Sequence, residues 1–505
     1  MNQQSPTLSK LAHLSGGELL HTDGHDPVIT SIGLDSASLE VGALFAAVPG
    51  TRKHGAEFAA ATAAAAILTD RAGRELLEAA DEKRPVLVVE DVRSVLGEIS
   101  AEIYGHPSQD LTLIGVTGTS GKTTTSYLLE VGLMAAGYHV GLIGTTGTRI
   151  NGRSVPTKLT TPEAPTLQAL FARMRTEGVT HVVMEVSSHA LSLGRVDGTN
   201  FDVAGFTNLS QDHLDFHPTM EDYFEAKAKF FDPKFSVAAG HSVICVDDIW
   251  GQQMATRAAN PVTVSTTGVP SDVSARQIEL APSGAQTVEL DLPDRDEPLR
   301  FVLPLPGDFN IANAALATAL AWSVDVPTER FVAGLSKVAV PGRMERIDAG
   351  QDFLAVVDYA HKPAAVAAVL DTLKDQISGR LGVIIGAGGD RDPGKRPIMG
   401  AEAARRADLV IITDDNPRSE VPETIRAAVL AGAKKAATDA EILEIGDRAA
   451  AIEALVAWAK PGDGIIVAGK GHEVGQLIAG VDHHFDDREQ LRRALDDRIL
   501  KEGEQ

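Results

Sequence analysis

"GVTGTSGKTTT", residues 115–125, follows the apolar run "LTLI" and precedes "SYLLEVGLMAAG". A strand, a glycine-rich loop and a helix in that order aim backbone amides and a helix N-terminus at phosphate. In the common phosphate-loop pattern four residues separate the first glycine from Gly-Lys, which would put a glycine at Val116. Here the nearest glycines are Gly115 and Gly118. The flanking strand and helix still support a nucleotide-binding loop, with Lys122 neutralising the outer phosphates and the Thr123 hydroxyl reaching Mg²⁺. The bland alternative is a Gly/Thr turn with a solvated lysine. The loop alone leaves open which group receives the phosphate, since hydrolases, kinases and ligases all use it.

Outward from the loop, helix, strand and loop alternate through "HVGLIGTTG", "HVVMEVSS" and "FDVAGFTNLS", which predicts a parallel sheet flanked by helices. "ARQIELA", "QTVELDL" and "LRFVLPL" read as antiparallel strands appended to it, with turn signals at "PSG" and "PDRDEP". "AVPGRMERI" marks a linker punctuated by Pro341 and Gly342. Beyond it, "FLAVVDY", "LGVIIGAGG", "DLVIITDD" and "GIIVAGK" are strands separated by alanine-rich helical stretches, a second α/β block of about 160 residues. Ahead of the loop, "ITSIGL" and "VLVVED" are short strands beside the alanine-rich "EFAAATAAAA". A chain of 505 residues exceeds one ordinary core. The expected fold is therefore α/β in three domains, 1–107, 108–341 and 342–505.

With 46 Lys plus Arg against 69 Asp plus Glu, the net charge of −23 opposes non-specific binding to nucleic acid or anionic membranes. Cys245 is the one cysteine, so an internal disulfide and a cysteine-based metal site are excluded. "MNQQSPTLSKLAHLSG" has neither a basic start nor an apolar stretch, and no uncharged apolar run reaches spanning length. A soluble, cytoplasmic monomer is the expectation, with no membrane insertion.

Glu185 closes the apolar strand "HVVMEV", where a carboxylate beside a phosphate loop is placed to ligate Mg²⁺; taken alone it reads equally as a solvated strand end. His213 in "NLSQDHLDFH" is a metal-ligand candidate or a hydrogen-bonded loop histidine. Lys227 and Lys229 in "YFEAKAKFF" read, by themselves, as an exposed basic face.

The combination is more specific than its members. "GVTGTSGKTTT", "TTPE" (160–163), "EVSSHAL", "NLSQDHLDFH", "YFEAKAKFF", "LPGDFNIANAALA", "VPGRMERI", "VDYAHKP", "GAGGDRDPGKRPIMG", "DDNPRSE" and "GKGHE" occur in order. The chain thereby resembles the Mur ligase family, from about residue 30 to about residue 475, and within it the branch adding the third amino acid to a UDP-N-acetylmuramoyl peptide. The resemblance implies a central P-loop mononucleotide-binding sheet, a C-terminal Rossmann-like α/β domain and an N-terminal domain for the UDP substrate. It also answers the question of the phosphate: the γ-phosphoryl group goes to a substrate carboxylate, and the incoming amine displaces phosphate from the acyl phosphate. The early-glycine spacing is the family's own.

Carried over residue by residue, the resemblance assigns Thr117, Gly118, Thr119, Ser120, Gly121, Lys122 and Thr123 to ATP phosphates and Mg²⁺, with Glu185 and His213 as metal ligands. Lys227 matches a lysine that the family carbamylates to hold a second Mg²⁺, which requires a neutral amine and hence a depressed pKa. Asn313 matches an adenine contact, Arg343 a phosphate contact and Asp358 a ribose contact. Thr160, Thr161, Ser187 and Arg195, with Ser36, His54, Gly55 and Ala56 of the first domain, match positions that bind the UDP substrate. Ala37 stands where the family usually has arginine, Leu193 where glutamine is frequent, and Lys362 where threonine is common.

The stretch Asp415, Asn416, Pro417, Arg418 resembles the form that adds meso-diaminopimelate. That amino acid carries a far-end carboxylate that lysine lacks, and a planar guanidinium grips a carboxylate in a fork. Arg391, Gly469 and Glu473 match the rest of this pocket. The substrates so implied are ATP, UDP-N-acetylmuramoyl-L-alanyl-D-glutamate and meso-diaminopimelate. The competing expectations are a lysine-adding ligase, a folylpolyglutamate-type ligase, a P-loop ATPase or phosphotransferase, and a non-catalytic nucleotide-binding module.

Overall fold

The computed structural model describes residues 5–50, 52–157, 159–281 and 284–503. Its centre is the strand Thr112–Thr117, whose C-terminal end releases the glycine-rich loop into the helix Lys122–Ala135. This strand runs parallel to His181–Glu185 on one side and Val203–Phe206 on the other, in the interior of an 11-stranded sheet. All but one residue of the three strands is buried, as their continuous Val/Ile/Met/Phe runs require of parallel strands covered on both faces. The parallel core continues through His241–Cys245 and Val262–Ser265. At one edge Val273–Leu280 joins in parallel, then pairs antiparallel with Gln286–Asp291, which pairs antiparallel with Leu299–Leu303. The expected appended strands are thus present; Pro282 and Ser283 of the expected turn between the first two lie outside the described residues.

A 5-stranded sheet precedes it, with Ser31–Gly33, Ala43–Ala46, Ala66–Thr69 and Val86–Val88 in parallel and Glu18–Leu20 antiparallel at the edge. A 6-stranded sheet follows it, in which Leu354–Asp358, Gly464–Ala468, Leu381–Ile385, Leu409–Ile412 and Glu441–Glu444 are parallel neighbours in that order. The short strand Glu345–Arg346 adds antiparallel to its first member, so the tail of "AVPGRMERI" is built into this sheet. The α/β class expected from the alternating pattern is what the chain adopts.

Beneath the last sheet lies a fully buried ion pair. Arg448 Nε and Nη2 each donate to Asp487 at 2.7 Å, and both side chains are completely inaccessible. The same guanidinium donates to the carbonyls of Ala468 (3.0 Å) and Asp414 (3.4 Å), joining the helices Arg448–Trp458 and Asp487–Gly503 to two strand ends. Replacing one partner of such a pair leaves an uncompensated buried charge.

The two glycines of the opening stretch have separate jobs. Gly118 has φ +145°, and a Cβ there would stand 1.8 Å from Thr207 Oγ1, so the loop can pass this point only as glycine. Gly115 lies within the strand, where a Cβ would meet the Phe230 ring at 2.4 Å. Gly115 is therefore a packing residue. Gly115→Ala should lower stability by about 1–3 kcal/mol through overpacking while sparing nucleotide affinity. Thermal denaturation with and without a nucleotide analogue checks this; an unchanged melting temperature would show that Phe230 yields without cost.

Candidate functional site

A cavity of about 840 Å³ opens at the C-terminal ends of the central strands, where ligands bind in open α/β sheets. One wall is the loop itself, held by the segment after Val203–Phe206. Thr119 N donates to Asn208 O (2.9 Å), Ser120 N to Asn208 Oδ1 (3.0 Å), and Thr207 Oγ1 to Ser120 O (2.6 Å). The other wall comes from Arg343, Met344 and the segment Asp358–Lys362, so two sheets build one site.

Three lysines converge on the loop. Lys122 Nζ donates to the carbonyls of Gly118 (2.9 Å) and Thr119 (3.1 Å). Lys227 Nζ, buried on the helix Met220–Ala228, donates to Gly118 O (3.0 Å) and Thr117 Oγ1 (3.3 Å). Lys362 Nζ donates to Thr119 O at 2.9 Å. Burial, together with repulsion from Lys362, pushes the Lys122 pKa down to about 8, against the pull of Glu185 and Asp212. Burial, then Lys122 and Lys362, hold Lys227 well below the ordinary lysine value. An amine so depressed has the neutral fraction that carbamylation needs. The exposed-face reading of Lys227 is therefore wrong: its side chain is buried because the helix turns it inward over Tyr223.

Glu185 is almost fully buried and accepts from Thr145 N (2.9 Å), Thr145 Oγ1 (2.9 Å) and Thr123 Oγ1 (3.1 Å). Thr123 Oγ1 in turn accepts from Arg343 Nη2 at 3.4 Å. A hydroxyl and a carboxylate side by side at the loop mouth are hard oxygen donors of the kind Mg²⁺ takes, and phosphate and water oxygens would complete its sphere. His213 sits in the left-handed region (φ 55°) with Nε2 3.1 Å from Asp212 Oδ2. Burial lowers its pKa to about 3 despite Asp212, so the imidazole is neutral, the form in which histidine ligates metals. Among the described residues no three or more His, Cys, Asp or Glu side chains form a metal-binding group by themselves. The residues present thus fit a phosphate-bound cation and not a cage made wholly of protein.

The remaining predicted residues divide by location. Asn313 lies beside the loop, accepting from Thr125 Oγ1 at 3.4 Å. Asp358 lines the cavity, but its carboxylate accepts from Met344 N and Ala360 N, both at 2.7 Å, and so braces the Arg343 turn. Thr160, Thr161, Ser187 and Arg195 line the cavity together, with Thr161 Oγ1 donating to Glu185 O (2.9 Å) and Arg195 paired to Glu163 (2.9 Å). Ser36, His54, Gly55 and Ala56 do not reach it. They lie in the first sheet's unit, where His54 Nδ1 accepts from Ala56 N (3.0 Å) and Nε2 meets Asp70 (3.1 Å). Ser36 opens a short 3₁₀ turn capped by Asp35, whose carboxylate accepts from Ala37 N.

Of the proposed amino-acid pocket, Arg391 alone lines the main cavity. The others gather next to it. Asn416 Nδ2 donates to Glu473 Oε2 (2.8 Å), Asn416 Oδ1 accepts from Lys470 Nζ (3.2 Å), and Arg418 Nη1 donates to Gly389 O (2.6 Å). Arg418 is a non-glycine residue at φ 55°, held there by backbone bonds to Leu477 and Ala479 on the hairpin that follows "GKGHE". Gly469 approaches closely enough that a Cβ would stand 2.6 Å from Asp415 Oδ2, and Pro417 O accepts from Glu420 N. Tyr359 bridges the two regions, its hydroxyl donating to Glu473 Oε1 (3.1 Å) while the Arg343 guanidinium lies 4.5 Å over its ring. Sequence reasoning missed Tyr359, Thr145, Asp212 and Lys470. It also missed the apolar wall of Leu305, Phe309, Leu316 and Val369, which suits the face of a base. The Lys362 departure was the available signal for Asp212.

Histidines 213, 217, 361 and 472 around this region are all held below the ordinary value, chiefly by burial: about 3 for His213, about 4 for His217 and His472, and well below for His361. The unfolded chain binds their protons near pH 6.5, so it carries more protons than the folded chain as acidity rises. The stability they leave intact above about pH 6.5 is lost progressively as pH falls toward 4. The urea midpoint should therefore drop between pH 7.5 and 5; a flat midpoint would mean these rings are solvated.

Comparison with known proteins agrees with this geometry. Residues 28–104 match the catalytic-domain model of the Mur ligase family, residues 116–321 the Mur ligase middle domain, and residues 342–471 the Mur ligase glutamate ligase domain. The chain is 68% identical over 482 residues to a Corynebacterium glutamicum protein named UDP-N-acetylmuramoyl-L-alanyl-D-glutamate–2,6-diaminopimelate ligase, covering 94% of this chain and 93% of that one. A Streptomyces avermitilis protein of the same name is 48% identical, covering 96% of each chain. A solved structure of a ligase of that name superposes with a TM-score of 0.64 at 34% identity, covering 94% of this chain and 96% of the other. The chain belongs to the Mur ligase family.

Proposed function

We propose that this chain is an ATP-dependent amide ligase that adds meso-diaminopimelate to UDP-N-acetylmuramoyl-L-alanyl-D-glutamate, releasing ADP and phosphate, in the cytoplasmic synthesis of peptidoglycan precursors. It acts as a monomer of three domains: 1–107 for the UDP substrate, 108–341 for ATP and 342–505 for the amino acid. The observation that carries this reading is the contact between two halves of chemistry. Arg343 reaches Thr123 at the phosphate loop and stacks on Tyr359, which holds Glu473 of the amino-acid pocket. An enzyme that only hydrolysed ATP would have no use for that second pocket. The names of the relatives at 68% and 48% identity support the same substrates.

The chain's residues divide the work by charge. Loop amides and Lys122 bind the triphosphate, and Arg343 adds a fixed guanidinium beside it. Thr123, Glu185 and His213 would hold Mg²⁺, which would neutralise and orient phosphate oxygens. A substrate carboxylate is a poor electrophile until the γ-phosphoryl group makes it an acyl phosphate. The amine of diaminopimelate then forms the new C–N bond, and the C–O bond to phosphate breaks. Lys227, held as a neutral amine by burial, would add to carbon dioxide through its nitrogen and lose one proton to solvent, and the resulting carbamate would offer anionic oxygens to a second Mg²⁺.

Arg418 supplies the test of the amino acid. Phosphate release should require ATP, the UDP-muramoyl dipeptide and meso-diaminopimelate together, with L-lysine a poor substitute. Arg418→Ala should cost about 2–5 kcal/mol, at least tenfold in diaminopimelate KM, and spare the KM for ATP. Comparable turnover with L-lysine, or activity on a folate, would replace this assignment; ATP consumption without any amine would replace the ligase reading.

Lys227→Ala should be nearly inactive, and short-chain carboxylates should restore part of the rate by supplying the missing oxygens. Full activity without them would remove Lys227 from the mechanism, and electron density for a bare ammonium with substrates bound would remove the carbamate.

A further inference from the structure

Lys362 is the residue whose identity departs from the common threonine, and its placement gives it a job. It precedes the helix Pro363–Lys374 on the third sheet's unit, in extended conformation, with its side chain buried. Its ammonium lies 2.8 Å from Asp212 Oδ2 and donates to Thr119 O at 2.9 Å, both groups belonging to the central sheet's loops. Thr119 O accepts from Lys122 as well. Among the described residues, neither Lys122 nor Lys227 has a carboxylate within ion-pair distance, so Lys362 is the one member of the trio whose charge is matched directly. Its partner Asp212 also contacts His213, a proposed metal ligand. A threonine cannot span to both groups. Here one side chain ties the phosphate loop, the segment carrying His213 and the segment carrying Tyr359 to a single point.

We propose that Lys362 is a positioning residue for phosphoryl transfer: its ammonium, shared between Asp212 and Thr119 O, sets the phosphate loop and His213 in register with the Arg343–Tyr359 wall, and so fixes nucleotide affinity. This rests on the ligase reading above for its effect on turnover, but not for its effect on nucleotide binding. Removing one partner of a buried hydrogen-bonded pair strands the other, so the loss is large when the pair is intact.

The test uses the full-length protein with Lys362→Met, Lys362→Thr and Lys362→Arg. Affinity for a non-hydrolysable ATP analogue is measured by calorimetry beside the steady-state constants. Lys362→Met and Lys362→Thr should each weaken analogue binding and lower kcat/KM for ATP by at least about tenfold, with diaminopimelate KM changed much less. Lys362→Arg, which keeps the charge in a wider head, should recover part of both. Analogue affinity within twofold of the parent in either neutral variant would overturn the proposal, as would a melting temperature that falls while binding by the folded fraction stays intact. If one neutral variant does not fold, the other and Lys362→Arg still decide. Failure of the ligase reading shows separately, as parent enzyme that releases no phosphate on adding the amine, while the binding comparison stands.

Discussion

Crowding of three lysine amines around two backbone carbonyls is the constraint on which this site depends. Lys122, Lys227 and Lys362 all donate to Gly118 or Thr119, within a few ångströms of one another and largely out of water. Ammonium groups so placed are held at a cost that lowers the pKa of Lys122 and Lys227 and that a polyanion relieves. Glu185 and Asp212 are buried carboxylates at its edge, and the nearby histidines stay neutral chiefly through burial, with the Lys362 charge adding to it. A site built to bind phosphate strongly must carry its strain before phosphate arrives.

The division of labour between sheets follows from the same constraint. The central sheet can bring the loop, Thr123 and Glu185 together because they lie at neighbouring strand ends, Glu185 in register with Val116. The guanidinium beside Thr123 comes from outside that sheet. Arg343 and Lys362 enter the site from the third unit, the first carried on a turn that the Asp358 carboxylate braces from below. Asp358, expected as a ribose contact, lines the cavity and also accepts from the backbone amides of Met344 and Ala360.

Local order made the fold legible from sequence. The loop, the strands ending in Glu185 and Asp358, and the α/β alternation all rest on short-range patterns. The edge strand Glu441–Glu444 was not legible, because "EILE" is exposed and charged and its pairing to Leu409–Ile412 is a long-range event. In the site, the gathering of Lys122, Glu185 and His213 in one cavity was legible from residue type and neighbourhood. Lys362 with Asp212, and Tyr359 with Glu473, were not, because each pair joins residues more than a hundred positions apart. Lys227 illustrates the middle ground: its helix was legible, but the direction of its side chain depends on the aromatic packing beneath it. The four first-unit residues matched to the UDP substrate do not line the cavity, and pattern alone carries no information about that separation.

The Arg448–Asp487 pair has a consequence for the order in which the molecule is made. The guanidinium that supports Asp414 and Ala468, next to the proposed amino-acid pocket, receives its counter-ion from a residue synthesised 39 positions later. Until Asp487 has left the ribosome, Arg448 lacks the carboxylate that grips it directly, and only the more distant charges of Asp415 and Glu473 accompany it into the interior. Buried Asp212 of the central unit waits in the same way for Lys362, a residue that emerges well before Asp487. The counter-charges around the phosphate loop are thus all synthesised before the one that completes the support of Asp414 and Ala468, and a chain arrested ahead of residue 487 lacks that support.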